Sequence, residues 1–287
     1  MFLNTEKNKE EWLKKIEDLM MLGGKSKITF RNYKAHITRF LNYYDNNINF
    51  KCIDEENILD FLKKNYFNLN RANTTVNVAI CAIRFLYSVC FKIELNKKLL
   101  PTTKREKLIP AILCKNDFIK IFNNTHNIKY KCWLLLGYCS GLRAQEIVSI
   151  KIENIYADEH KIKVYGKRKK ERFTILPDIT IKYLRLYCKY NIISDKQGYL
   201  FSSPYCPTRH ISRACPSDFF RRVQKDYNLP KNITFHSLRH SFATYYLMNG
   251  GDLFTLQSLM GHTNINTTRR YIHFSKDFNH LEGIKYV

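Results

Sequence analysis

Six side chains in the second half of the chain have the types and spacing needed to break and remake a phosphodiester. Arg143 follows Ser140-Gly141-Leu142, and Glu146 stands three residues after it. His236 and Arg239 share the same i, i+3 spacing, so a helix places both on one face. Gly261-His262 comes next, and Tyr271 lies nine residues beyond His262. Upstream, Lys167 opens the run Lys167-Arg168-Lys169-Lys170 behind Gly166. An arginine pair can hold an anionic phosphate in its planar forks. Histidine and lysine can move protons. A tyrosine can become the covalently attached group, provided that a proton acceptor or positive surroundings help a phenol whose ordinary pKa is about 10.

Taken one at a time these features are ordinary. Arg143 with Glu146 reads as a surface ion pair, His236 and His262 as helix-end histidines, Tyr271 as one packing residue among 19 tyrosines, and the 167–170 run as a solvated basic loop. Their combination on a strongly basic chain changes the weight. Lys and Arg number 48 against 25 Asp and Glu, a formal charge of +23. Such an excess calls for a polyanionic partner, because cations that neutralise phosphates release condensed counterions. DNA fits that charge best; a ribosome or an anionic membrane would share it.

The rest of the composition narrows the class. Hydrophobic residues make up 45% and aromatics 14%, which supports packed cores and argues against disorder. Nine cysteines, an odd number without a C-x-x-C pair, lie mostly among apolar residues, as in Ile80-Cys81-Ala82 and Cys132-Trp133-Leu134. They read as buried thiols in a reducing compartment, not as disulfides or metal ligands. Residues 1–20 are charged and lack a signal-peptide core, and the apolar run Cys132 to Cys139 is too short to span a bilayer. The expectation is a cytoplasmic, nucleoid-associated protein with no membrane partner. No P-loop and no clustered carboxylates appear, so no nucleotide cofactor and no metal are expected.

The elements that must position these residues fall into two halves, as 287 residues suggest. Four amphipathic helices fill the first. One covers Glu10 to Leu22 and is broken by Gly23-Gly24. A second is capped by Ser26 and runs to Tyr44. A third begins at Asp54, and a fourth begins at Thr74 or Thr75. Residues 96–110 are polar, basic and flanked by Pro101 and Pro110, and read as a linker. Beyond it, helices are predicted near 115–123, 129–139, 143–149, 178–190, 216–227 and 236–248. Another is capped by Asp252 and stopped at Gly261, and a last turn or two spans 267–273. Lys161 to Tyr165 and Arg172 to Leu176 read as strands of a β-hairpin around the 166–171 loop. The fold class is therefore mainly α with a small β-hairpin or sheet: a helical domain over 1–95 and an α+β catalytic domain over 111–287.

The motifs together resemble the tyrosine recombinases, the phage integrase family. Ser140-Gly141-Leu142-Arg143 with Glu146 is similar to that family's first-arginine box. Phe235-His236-Ser237-Leu238-Arg239-His240-Ser241-Phe242-Ala243-Thr244 is similar to its H-x-x-R box. Leu259 to His273 is similar to the box with the second histidine and the nucleophile. The resemblance implies a site-specific recombinase of Xer-like or compact mobile-element type. Tyr271 would attack a phosphate of double-stranded DNA and form a 3′-phosphotyrosyl link. Arg143, Arg239 and His262 would hold the non-bridging oxygens, with Glu146 in support. His236 would move the tyrosine's proton, and Lys167 would protonate the leaving 5′ oxygen. Arg168 stands where the family often has a small residue, so Lys169 and Lys170 compete with Lys167. The first domain resembles the family's helical, SAM-like core-binding domain, with Lys25, Lys27, Arg31, Lys34 and Arg84 as candidate DNA contacts. The assembly implied is a homo-tetramer, or a hetero-tetramer with a sister recombinase, on DNA. A non-catalytic DNA-binding descendant and a type IB topoisomerase-like relaxase are the alternatives.

Overall fold

The computed structural model describes residues 6–44, 49–103, 110–166, 170–191 and 197–277. The chain divides into two compact units, Met1–Leu108 and Ile109–Val287.

In the first unit, α1 (Glu6–Leu22), α2 (Lys27–Tyr43), α3 (Glu55–Leu62) and α4 (Asn73–Leu86) surround an apolar core. Ser26 caps α2 by accepting the Thr29 amide, and Asp54 caps α3 by accepting that of Asn57 at 2.9 Å. These caps hold the helix starts where the sequence puts them. Phe40 sits at the centre, its ring 5.1 Å from Phe61 and 5.4 Å from Tyr44, both edge-on. The helices α3 and α4 each end in a π-helical turn, Lys63–Phe67 and Tyr87–Phe91. Among the described residues, Asn73–Phe91 is long and apolar enough to cross a membrane by length and composition. Its apolar side is already taken: Val76, Ala79, Ile80, Ile83, Leu86 and Tyr87 are buried against the other helices.

The stretch after α4 does not behave as a free linker at its start. Leu95 and Leu100 are buried in the first unit's core. Asn77 exchanges hydrogen bonds with the Thr103 backbone, donating to its carbonyl at 3.0 Å and accepting its amide at 2.8 Å. Residues 96–103 thus pack on the first unit, because two isolated leucines and one buried asparagine suffice to anchor a segment without helical period. Residues 104–109 lie outside the described ones.

The second unit places helices around a small sheet. The element α6 (Ile128–Tyr138) is apolar all round, and every residue from Cys132 to Tyr138 is buried, so it forms the unit's central core helix. Around it stand α5 (Lys115–Asn124), α7 (Ala144–Val148), α8 (Asp178–Tyr190) and α9 (Ala214–Asp226), followed by α10 (Phe235–Met248), α11 (Leu253–Met260) and α12 (Ile265–Asp277). Strands β1 (Ile155–Tyr156), β2 (Lys161–Tyr165) and β3 (Glu171–Ile175) form an antiparallel sheet in sequence order, with Lys163 opposite Phe173. A second two-stranded ribbon, β4 (Ser202–Ser203) and β5 (Cys206–His210), has no counterpart in the sequence reading. Pro207 and the lack of alternation hide it. The helix α12 is longer than the predicted turn or two, since Asn264 accepts the Asn266 amide at 2.9 Å and starts it two residues early.

Candidate active site

The site is organised around one buried carboxylate. Glu146 is the third residue of α7, and its Oε2 accepts the Arg143 amide at 2.8 Å, closing the first turn as an N-terminal cap. That cap leaves the Glu146 side chain only 3% exposed. Arg143 Nη1 donates to its Oε1 at 2.8 Å. From β3, Arg172 grips both oxygens as a fork, each at 2.8 Å. Arg239 approaches from α10, its Nη1 3.6 Å from Oε2. Burial by itself would raise the Glu146 pKa, but the Arg172 hydrogen bonds and the charges of Arg172, Arg239 and Arg143 overcome it and hold the group at about 2. One anion among three guanidiniums leaves a net excess of two positive charges, which is an anion-binding field.

Arg239 is 1% exposed and held by backbone. Its Nη1 donates to the Gly141 carbonyl at 2.6 Å and its Nη2 to the Met260 carbonyl at 2.5 Å. Both carbonyls belong to turns that require glycine. Gly141 has φ +67°, and a Cβ there would lie 2.4 Å from the Phe242 ring. Gly261 has φ +62°, ends α11, and a Cβ there would meet Arg172 Cδ at 2.7 Å. The two glycines of the sequence motifs therefore let backbone approach the arginines closely. Arg172 Nε also donates to the Leu259 carbonyl at 2.7 Å, so one side chain ties Glu146 to the α11 end.

His262 follows that turn. Arg239 Nη2 stands 3.2 Å from its Nε2, and its Nδ1 is 2.9 Å from Thr268 Oγ1 on α12. An arginine can only donate, so Nε2 is the acceptor and Nδ1 carries the proton toward the fully buried Thr268 hydroxyl. Desolvation and the Arg239, Arg143, Arg172 and Arg270 charges press its pKa down to about 3.

Tyr271 is 2% exposed and packs with Phe242, Ala243, Leu256 and Met260. Its hydroxyl is 2.7 Å from Nδ1 of His240. Burial raises its pKa, and the charges of Arg239, Arg270 and Arg143 pull against that rise. His236 packs edge-on against His240, ring centroids 4.5 Å apart, and keeps exposed surface, while desolvation and the Arg239 and Arg143 charges press its pKa down to about 4. The imidazole that meets the Tyr271 hydroxyl is thus one helical turn beyond the one expected from the sequence. Lys167 lies outside the described residues, as do Arg168 and Lys169. The loop they belong to is closed by the Gly166 amide donating to the Lys170 carbonyl at 2.8 Å. In the first unit, Lys25, Lys27, Arg31 and Lys34 are exposed, whereas Arg84 turns inward and donates to the Leu100 carbonyl. Among the described residues no group of three His, Cys, Asp or Glu side chains is arranged to hold a metal ion.

Three participants escaped the sequence reading: Arg172, His240 and Thr268. Each had a faint signal. Arg172 shares a strand face with the buried Thr174, two residues on. His240 lies four residues after His236. Thr268 lies three residues before Tyr271 on the same helix.

A helical unit is followed by a mainly helical unit that gathers the arginines, histidines and tyrosine that phosphodiester exchange requires. Residues 112–277 match the Phage integrase family, and residues 12–97 match the Phage integrase N-terminal SAM-like domain. The chain belongs to the phage integrase family and is a tyrosine recombinase, an enzyme that breaks and rejoins DNA strands. It is 30% identical over 276 residues to the tyrosine recombinase XerC of Rickettsia rickettsii, covering 90% of this chain and 88% of that one. It is 27% identical over 271 residues to the tyrosine recombinase XerD of Oceanobacillus iheyensis, covering 88% and 90%. In structure it resembles XerH site-specific recombinase bound to palindromic difH substrate, with TM-score 0.75 at 20% identity over 96% of this chain and 88% of that one. It also resembles a lambda integrase dimer bound to a core site, with TM-score 0.73 at 18% identity over 90% and 96%.

Proposed function

We propose that Tyr271, Arg143, Arg239, His262, His236 and Lys167 carry out the strand exchange, with Glu146 fixing the arginines. The observation that supports this most is the single connected network from Arg143 through Glu146 and Arg239 to His262. Three motifs separated by long stretches of chain meet there. A phosphodiester bound at Arg143 would lie in the field of guanidiniums already fixed by Glu146 and by backbone carbonyls, so charge building in the transition state meets a preset positive field. Arg143, with 37% of its side chain exposed, is the guanidinium most open to an incoming phosphate.

The Tyr271 phenol gives its proton to an imidazole of α10 as its oxygen bonds to phosphorus, the bond to the 5′ oxygen breaks, and the 5′ oxygen takes a proton from Lys167. Rejoining runs the same steps backwards. The bond energy stays in the phosphotyrosine, so strand exchange needs no outside energy source. The working assembly is a tetramer on two duplexes in the cytoplasm, and the nine free cysteines suit a reducing compartment. Lys25, Lys27, Arg31 and Lys34 contact DNA phosphates from the first unit.

The test is covalent trapping on a nicked suicide duplex built on a cleavage site mapped in host DNA. Wild-type protein should become linked to DNA, and Tyr271→Phe should not. An adduct formed by Tyr271→Phe would show that the nucleophile lies elsewhere. Binding without cleavage by the wild type would favour a DNA-binding descendant instead.

A further inference from the structure

We propose that His240 is a further catalytic residue: it accepts the proton of the Tyr271 hydroxyl as that oxygen bonds to phosphorus. The proposal rests on the reading of Tyr271 as nucleophile. Its basis is geometric. The Tyr271 oxygen is 2.7 Å from His240 Nδ1, the two rings lie 5.7 Å apart at 45°, and both residues are anchored in packed helices, α10 and α12. Tyr271 is 2% exposed, so bulk water does not reach the hydroxyl to take its proton. His240 lies within reach, and His236 stands behind it, 4.5 Å away between the rings and open to solvent.

The groups acting on His240 explain why it is an acceptor. They are His236 and Arg239 on its own helix, Arg270 on α12, and His262 on the turn before α12; none is a carboxylate. With desolvation the largest cause, they press its pKa to about 3 and keep the ring neutral with a lone pair for the phenol. A group so acidic in its charged form is a weak base while the site is empty. A bound phosphodiester brings one negative charge against Arg143 and Arg239. That charge offsets the cationic part of what suppresses protonation of His240, so its basicity rises when substrate arrives, while the larger effect of burial remains. Base strength is thereby coupled to occupancy, and the phenol stays protonated until a phosphate is in place.

The balance is closed. In cleavage the phenol O–H breaks and its proton goes to Nδ1. The O–P bond forms, the P–O5′ bond breaks, and the 5′ oxygen takes a proton from the basic loop. In rejoining, the 5′ hydroxyl gives its proton back to the basic loop as it bonds to phosphorus, the bond from phosphorus to the tyrosine oxygen breaks, and imidazolium His240 returns its proton to that oxygen.

The test measures single-turnover covalent adduct formation on the same nicked duplex, across pH, for wild type, His240→Ala, His240→Gln and Tyr271→Phe. Loss of a general base slows the step ~10²–10⁴-fold. That loss is expected for His240→Ala, with duplex affinity retained and with added imidazole restoring cleavage in step with its free-base fraction. Glutamine keeps a hydrogen-bond acceptor near the phenol but cannot take the proton, so His240→Gln should be as slow as alanine and should lose the acid limb of the pH profile. Should alanine prevent folding, glutamine carries the test alone. If His240→Gln cleaves within about threefold of wild type, or if either variant cleaves faster, His240 only holds the tyrosine and the proposal is overturned. An adduct from Tyr271→Phe would instead remove the nucleophile reading itself.

Discussion

The two units bury different things. In the first, Asn77 is the buried polar residue among the described ones, and the core is aromatic and aliphatic around Phe40, Phe61 and Tyr87. In the second, Ser140, Glu146, Thr174, Ser237, Arg239, Ser241 and Thr268 are all buried, and most of them belong to the site or brace it. The first unit is held chiefly by area removed from water, a term in which no charge takes part. The second contains an ionised network in low dielectric, where each member depends on the others remaining charged and paired. What distinguishes a scaffold from a reactive site here is therefore how the interior responds when one partner is removed or titrated.

The largest effects come from breaking each interior at its centre. Glu146→Ala leaves Arg172 and Arg239 buried without their anion, a loss of about 3–5 kcal/mol for an unpaired buried charge. Phe40→Ala removes a side chain that is 0% exposed, at about 3–5 kcal/mol for the lost transfer and the cavity. Denaturant unfolding of the full chain should show similar losses for the two. Added phosphate separates them: anions should restore more stability to Glu146→Ala, by taking the carboxylate's place, than to Phe40→Ala, where phosphate acts only through its general exclusion from the surface. Equal responses to phosphate would erase the distinction between the units.

Acid comes next in size. The folded-state pKa of Glu146 is held at about 2, below its ordinary 4.5, so its contribution is present above pH 4.5 and lost as pH falls toward 2. His240 and His262 are also lowered, to about 3 from 6.5, so the unfolded chain binds their protons first and stability declines as pH falls from 6.5 toward 3. Stability should therefore drop in two stages on acidification, beginning near pH 6.5 and steepening below 4.5. The fluorescence of Trp133, in the second unit's core, should follow both stages, whereas Trp12 in the first unit should follow only the first, through His36, whose pKa burial and the Arg39 charge lower. A transition in which both tryptophans move together through both stages would mean that the charged network does not decide which unit yields.

This division also explains what could be read from the sequence. The helices of the first unit were legible because apolar spacing and caps such as Ser26 and Asp54 are local signals. The motif arginines and His262 were legible because glycines mark the turns that present them. Arg172 was not, because it follows a run of basic residues and its value lies in pairing with Glu146, 26 positions away. His240 was masked by His236: the interval between the two is a single helical turn, and only the placement of α12 decides which one Tyr271 meets. The π-helical turns and the β4–β5 ribbon have no periodic signature at all. Contacts set by tertiary placement leave little trace in spacing.

A smaller effect sharpens the second unit. Thr268 accepts the His262 Nδ1 proton in a fully buried position. Thr268→Val keeps the shape and removes the acceptor, which costs about 1 kcal/mol for a buried hydrogen bond. The expected result is roughly a fivefold loss of cleavage rate with duplex affinity unchanged, since the phosphate grip of the arginines stays intact. Rate and affinity falling together would place Thr268 in the packing of α12 and not in the orientation of His262.

The smallest effect on stability belongs to the surface of the first unit, and it separates charge from structure there. Lys25, Lys27, Arg31 and Lys34 are exposed along one end of α2, while Arg84 is turned onto the Leu100 carbonyl. Replacing an exposed lysine changes stability by less than about 0.5 kcal/mol. If Lys27 and Lys34 each neutralise one phosphate, the double alanine variant should lower the slope of log affinity against log salt by about 1.8 on duplex DNA. Arg84→Ala should do the reverse, leaving that slope unchanged and lowering the melting temperature, because it frees the segment that Leu100 anchors. Arg84 is the informative member of the set, since its charge is the same as that of its neighbours and only its direction differs. A salt slope that falls with Arg84→Ala and not with the lysine pair would mean that this guanidinium leaves the carbonyl for DNA, and that the first unit uses a half-buried cation in its function.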